Sequence, residues 1–255
     1  MPTRCILFCF MVAHGICSQN ELEKGIAFYN HRLEGSVKSS AKPEPITNAI
    51  RHFQYALKNS ATETDAELYL LKSYYFRGKY VHKNKEKQKA DFSEGKNLGE
   101  KYIKKYPNSA PFRFWYLVNL GSWSEVYGII SAAREGVADL VKKHSNIIIS
   151  IDPEYENGGG YFMLGAVHFK SPYIPFFLSW PDNDDAIKYL TKALNTGEAT
   201  PNQKVYLAQA LYKDGQKNRA MDMLKEVANM QPSEEETVRD WEQIELSEQL
   251  LSEYR

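Results

Sequence analysis

The sequence predicts an all-α fold, an α-solenoid of TPR-like antiparallel helix pairs with a C-terminal capping helix. Three observations predict it. Two stretches echo one another, with Ala186, Leu190 and Ala193 standing 34 residues before Ala220, Leu224 and Val227. Within each stretch apolar residues recur three and four positions apart, which is the period of one helix face. Turn and stop residues fall where such helices have to end, at Gly215 and Pro232.

A 34-residue period is that of the tetratricopeptide repeat (TPR), a helix–turn–helix unit. The regular copy runs from Pro201 to Glu234. Leu207, Ala208 and Leu211 mark its first helix, Gly215 its turn, and Ala220, Leu224 and Val227 its second helix. Small residues at the crossings let the two backbones approach to about 8–10 Å. The preceding copy opens on Gly158-Gly159-Gly160, which lets the chain enter a helix at a tight angle. Tyr161, Leu164, Gly165 and His168 then follow the W-x-x-L-G-x-x-Y spacing, with Tyr for Trp and His for Tyr. Leu164 to Ala186 spans 22 positions where Leu207 to Ala220 spans 13, so about nine residues are inserted between the paired helices.

Upstream the pattern is degenerate. Ala49, Phe53 and Ala56 read as a second helix, Leu71 and Tyr75 as a first helix answered by Gly95 and Tyr102, and Trp115 and Leu117 as another first helix. From Trp123 to His144 the spacing of Val126, Ile130, Ala133, Val137, Leu140 and Val141 is helical. Ile147 to Ile151 taken alone resembles a strand, but Asp152-Pro153 after it is the usual end of a TPR second helix, so the run reads as helix. Gly35–Pro45 and Lys83–Lys89 read as polar, mobile loops. Val238, Trp241, Ile244, Leu246 and Leu250 share a face of a final helix, read as a solvent-facing cap over the end of the solenoid. The organisation expected is a signal segment over 1–18 and one helical domain over 19–255. That domain has degenerate repeats over 19–152, clearer repeats over 153–234 and the cap over 235–255.

Composition narrows the function. Lys+Arg and Asp+Glu both count 32 in 255 residues, so no excess of positive charge points to nucleic acid. Arg4 followed by the apolar run Cys5–Ala13 reads as an export signal, too short to span a bilayer as a helix. All three cysteines (Cys5, Cys9, Cys17) lie in this segment, so the exported chain has neither a catalytic thiol nor a cysteine-ligated zinc site. A lipid anchor on Cys17 is disfavoured, because His14-Gly15-Ile16 makes a poor lipobox.

No arrangement of residues reads as catalytic. The six histidines include no i, i+4 pair, and His168 faces the repeat interior as a packed residue. Ser39-Ser40-Ala41-Lys42 matches Ser-x-x-Lys but lacks its partner motifs and sits beside Pro43 and Pro45. Asp182, Asp184 and Asp185 read as helix-capping carboxylates and not as a calcium site. No cofactor or metal is expected.

The insert is the candidate site. Pro172, Pro175 and Pro181 exclude regular helix. Tyr173, Phe176, Phe177 and Trp180, with Ile174 and Leu178, are too apolar for a solvated loop. Two readings stand: the rings pack on neighbouring helices as accessory core, or, with Tyr161, they line a pocket or dock a partner.

Asp152-Pro153-x-Tyr155, Gly158-Gly159-Gly160-Tyr161, Leu164-Gly165, the Pro-rich loop and Asp184-Asp185-Ala186 through Ala193-Leu194, continuing into Tyr206-Leu207-Ala208, resemble the TPR-containing periplasmic proteins associated with TRAP-type (tripartite ATP-independent periplasmic) transporters. The resemblance implies a periplasmic location, docking to the transporter's substrate-binding protein, self-assembly into a trimer with a central opening, and transfer of a hydrophobic ligand. Members are typically lipoproteins, and the residues before Cys17 depart from that pattern. The function expected is a non-catalytic exported scaffold that binds a partner protein, or alternatively a carrier of a small hydrophobic molecule.

Overall fold

The structure, a computed structural model, describes residues 20–176 and 178–254. The expected signal segment, Cys17 and Phe177 lie outside the described residues. Helices follow one another as antiparallel pairs. Helix α1 occupies 20–30 and packs on α2 (Pro43–Ala56). Next come α3 (Ser60–Phe76) with α4 (Lys85–Lys105), and α5 (Ala110–Tyr127) with α7 (Val137–Ile151), with the short α6 (Ile129–Arg134) between them. The last pairs are α8 (Tyr155–Lys170) with α9 (Asn183–Leu194) and α10 (Pro201–Lys213) with α11 (Lys217–Ala228), followed by α12 (Thr237–Glu253). Among the described residues β pairing is confined to two isolated bridges, Val37–Ser40 and Ile174–Leu178.

Local chemistry starts these helices. Asn59, Asn84 and Asp182 accept hydrogen bonds from the first free N–H groups of α3, α4 and α9. Thr200 and Gln203 form a reciprocal capping box at α10. Proline stands in the first turn of α2, α5 and α10, where its missing N–H costs nothing. The repeat positions Leu164, Ala186, Leu190, Ala193, Leu207, Ala220 and Leu224 are all buried. Gly165 is a contact point, since a Cβ built there meets Leu190 Cγ at 2.7 Å and Leu190 N at 2.9 Å. His168 is buried as expected, its Nδ1 accepting from Asp182 N at 3.2 Å, and burial lowers its pKa.

Four expectations need correction. The helical run from Trp123 to His144 is broken into three pieces, because Gly128 (φ 88°) and Gly136 (φ 63°) take conformations open mainly to glycine. The Lys83–Lys89 segment is mostly helix, since Asn84 caps α4 and the helix begins at Lys85. The 35–45 loop is pinned: Ala41 N donates to Tyr80 O at 2.9 Å, and Ser39 Oγ donates to Glu245 Oε2 at 2.6 Å. Lastly, α12 is more than a solvent-facing cap. Its C-terminal half packs Leu250 into the α9–α11 core, while Val238, 1% exposed, enters the apolar cluster of α1–α3.

One buried pair gives the fold an acid sensitivity. Arg113 Nη1 donates to His144 Nδ1 in the core between α5 and α7, so the imidazole must be neutral on that nitrogen. Burial first, and the Arg113 charge second, push the His144 pKa from 6.5 down to about 4. The unfolded chain therefore binds this proton more readily than the folded one. The contribution is intact above pH 6.5 and is lost as pH falls towards 4. We expect the unfolding free energy from denaturant titrations to fall over that window, by up to about 3 kcal/mol from this group.

Candidate ligand cavity

A solenoid of helix pairs lines its concave side with the first helix of each pair. Here stripes at helical spacing form that wall: Leu117, Gly121 and Glu125 on α5, Gly159, Met163 and Ala166 on α8, and Gln203 and Tyr206 on α10. In an open solenoid this wall would be a groove. In this chain α12 crosses from the last pair to the first and closes it.

The closing seam joins residues far apart in sequence. Lys79 Nζ lies 2.8 Å from Glu242 Oε1, and Tyr80 Oη donates to Glu242 Oε2 at 3.3 Å. Lys38 pairs with Glu245 at 3.4 Å, and Arg32 with Glu236 at 3.6 Å. The Lys38 ammonium also sits 5.4 Å from the centre of the Trp241 ring. Half-exposed ion pairs contribute only about 0–1 kcal/mol each, whereas burying a side chain such as Val238 contributes roughly 1.5–3 kcal/mol. The apolar anchor holds the seam and the charges set its register. A local irregularity makes the contact possible. The residues after α3 form a five-residue π-helix, Arg77–Val81, braced by the Arg77–Asp91 ion pair, and it carries Lys79 and Tyr80 to α12.

The result is a cavity of about 880 Å³. Leu117, Val137, Val141, Met163 and Val167, with Ile174 and Leu178 of the insert, make one side apolar. The other side is polar, formed by Lys79, Tyr80, Glu125, Glu156, Arg239 and Glu242. Burial alone would lower the pKa of Lys79 and of Arg239. The carboxylates of Glu242 and Glu125 for Lys79, and of Glu236 for Arg239, outweigh it and raise both, so the two stay charged. Burial raises the phenol pKa of Tyr75, Tyr80 and Tyr206 and keeps them as neutral hydroxyls. At this wall Glu156 (φ 50°), Asn157 (φ 54°) and Gly158 (φ 80°) are left-handed in succession. Two of the three are not glycine, so backbone strain is concentrated at the cavity wall. Gln203 Nε2 and Glu198 N donate to Asn157 and hold the kink.

The residues singled out from sequence divide. Tyr161 does not reach the cavity, and its ring is covered by the Lys192 ammonium at 4.4 Å. Trp180 is accessory core: Nε1 donates to Asp139 Oδ1 at 2.8 Å, His168 meets its ring edge-on, and Lys142 lies 4.1 Å from its centre. Tyr173 and Phe176 are exposed, with Phe176 at a positive φ of 64°. The residues of the insert that face the cavity are its aliphatic ones. Ile174 and Leu178 exchange two backbone hydrogen bonds of 2.8 Å and both turn inward. Sequence reasoning missed the polar wall entirely. Trp115 and Leu117 were legible as a first helix, but nothing local indicates that α12 closes over the wall to which α5 contributes Leu117, Gly121 and Glu125.

Among the described residues no helix is long and apolar enough to cross a membrane, and no cluster of three or more His, Cys, Asp or Glu is placed to hold a metal ion.

No family model matches the sequence, and no curated protein matches it. Among solved structures the chain is similar to a thermophilic TPR protein from Thermus thermophilus, at 15% identity and a TM-score of 0.60, over 90% of this chain and 99% of that one. The fold is a TPR-like helical repeat. At that identity the likeness speaks to architecture alone, and the contents of the cavity have to be argued from its own residues.

Proposed function

We propose that this protein is an exported, non-catalytic scaffold that holds a small hydrophobic molecule in its central cavity and exchanges it with a partner protein. The observation that carries this reading is the closure of the solenoid by α12 around about 880 Å³ with one apolar side. That volume lies within the roughly 300–1,000 Å³ of small-molecule sites. The charged groups at the seam are tied to one another, as Lys79 is to Glu242, and this supports a holding role over a chemical one.

The insert supports the partner half of the reading. One loop turns Ile174 and Leu178 to the cavity and Tyr173 and Phe176 to solvent, so a protein docked on those rings would touch the element that walls in the ligand. The resemblance over about residues 152–232 supports the substrate-binding subunit of a TRAP-type transporter as that partner and a trimer as the assembly. The apolar run Cys5–Ala13 supports export to the periplasm.

Titration with the apolar fluorophore N-phenyl-1-naphthylamine tests the first half. Saturable binding of one probe per chain, displaced by dodecan-1-ol, is expected, and an absence of saturable binding contradicts the reading. For the partner, a photo-crosslinker at position 176 should capture a substrate-binding protein that the same group at the exposed Tyr55 does not. Equal capture from both positions contradicts the docking role of the insert.

A further inference from the structure

The polar side of the cavity contains a cation whose hydrogen-bonding capacity is unused. Arg239 carries five N–H donors in a planar fork. Among the described residues no hydrogen bond to its side chain is formed, and its nearest carboxylate, Glu236 Oε2, is 3.9 Å from Nη1. Glu236 is also 3.6 Å from Arg32 across the seam. Glu156 lies near enough to favour the guanidinium charge but makes no ion pair with it. Lys79 differs in being engaged by Glu242 at 2.8 Å. Arg239 keeps 28% of its side-chain surface accessible, and the residue forms part of the cavity wall. The hydroxyls of Tyr75 and Tyr80 stand on the same side, 3.4 Å from one another. Val137 and Val141 of α7, with Ile174 and Leu178 of the insert, supply apolar lining to the same cavity.

We infer that the cavity takes an amphipathic organic monoanion, a carboxylate with an extended apolar body, with its head on the Arg239 fork and its body against α5, α7 and the insert. This inference rests on the cavity reading above and adds the class of ligand. A carboxylate matches the guanidinium fork in two parallel hydrogen bonds. The nearby Glu236 and Glu156 disfavour a doubly charged head such as a phosphate monoester, since each further negative charge meets two like charges.

The test compares dodecanoate with dodecan-1-ol, which share one chain length and differ in the head, by calorimetry on the wild-type chain and on Arg239→Gln. Hydrogen bonds to a charged group in such a site correspond to roughly ten- to hundred-fold in affinity. We expect the wild type to prefer dodecanoate by that factor and Arg239→Gln to bind both probes alike, near the affinity for the alcohol. Lys170→Gln, which changes another cation at the cavity wall, should leave the preference intact. Equal binding of the two probes by the wild type overturns the inference while the cavity reading stands, and so does a preference that survives Arg239→Gln. If neither probe binds, the cavity reading falls and this inference falls with it.

Discussion

Replacing Gly121 with tryptophan weakens binding of apolar probes by roughly a hundred-fold and leaves the fold intact. Gly121 lies inside α5 on the cavity wall, and a Cβ built there meets nothing within 4 Å. The indole therefore enters open space and does not strain the core. Glycine is also the poorest helix former apart from proline, so the substitution favours α5 slightly. The ligand is what loses room. Displacing three or four methylenes from an apolar wall, at about 0.8 kcal/mol each, amounts to roughly a hundred-fold in affinity. Calorimetry with dodecan-1-ol and a thermal melt read the two halves separately. Unimpaired binding with an unchanged melt means that the ligand lies elsewhere. Gly121→Ala serves as the control, stabilising the helix by about 0.5–1 kcal/mol while leaving the cavity open.

The second large effect falls on stability, at another glycine. Gly165→Val forces Cβ to within 2.7 Å of Leu190 Cγ and 2.9 Å of Leu190 N. The side chain of Leu190 has little room to yield, because it is fully buried, and the backbone nitrogen yields only if α8 and α9 separate. Overpacking of this kind costs about 1–3 kcal/mol, and at about 2–4 °C per kcal/mol the melting temperature falls by several degrees. A melt within a degree of wild type would show that the α8–α9 crossing is looser than its geometry implies.

These two glycines also show what a sequence reveals. Gly165 was legible because it occupies a defined place in a repeat whose crossing requires a small residue. The burial of Leu164, Ala186, Leu190, Leu207, Ala220 and Leu224 follows from the same periodicity. Gly121 was not legible. It resembles any helical glycine until α12 is known to stand opposite it, and that placement depends on Val238 finding a cluster assembled some 160–220 residues earlier in the chain. The insert was located correctly by its length and its prolines, but its chemistry was weighed by ring size. Trp180 found partners in Asp139, His168 and Lys142 and became core, while the smaller Ile174 and Leu178 reached the cavity. The tight entry was legible in Gly158-Gly159-Gly160, but the left-handed Glu156 and Asn157 before it were not, since the hydrogen bonds that hold Asn157 come from Gln203 and Glu198 farther along the chain.

Closure by α12 is the claim on which the cavity, its ligand and the role of Arg239 depend. It is tested most directly by a distance across the seam. Spin labels at Val37→Cys and Glu248→Cys, with Cys5, Cys9 and Cys17 replaced by serine, flank the Lys38–Glu245 pair at exposed positions. Pulsed dipolar spectroscopy is expected to give one narrow, short distance for the closed ring. A broad distribution reaching the span of an open solenoid would contradict it.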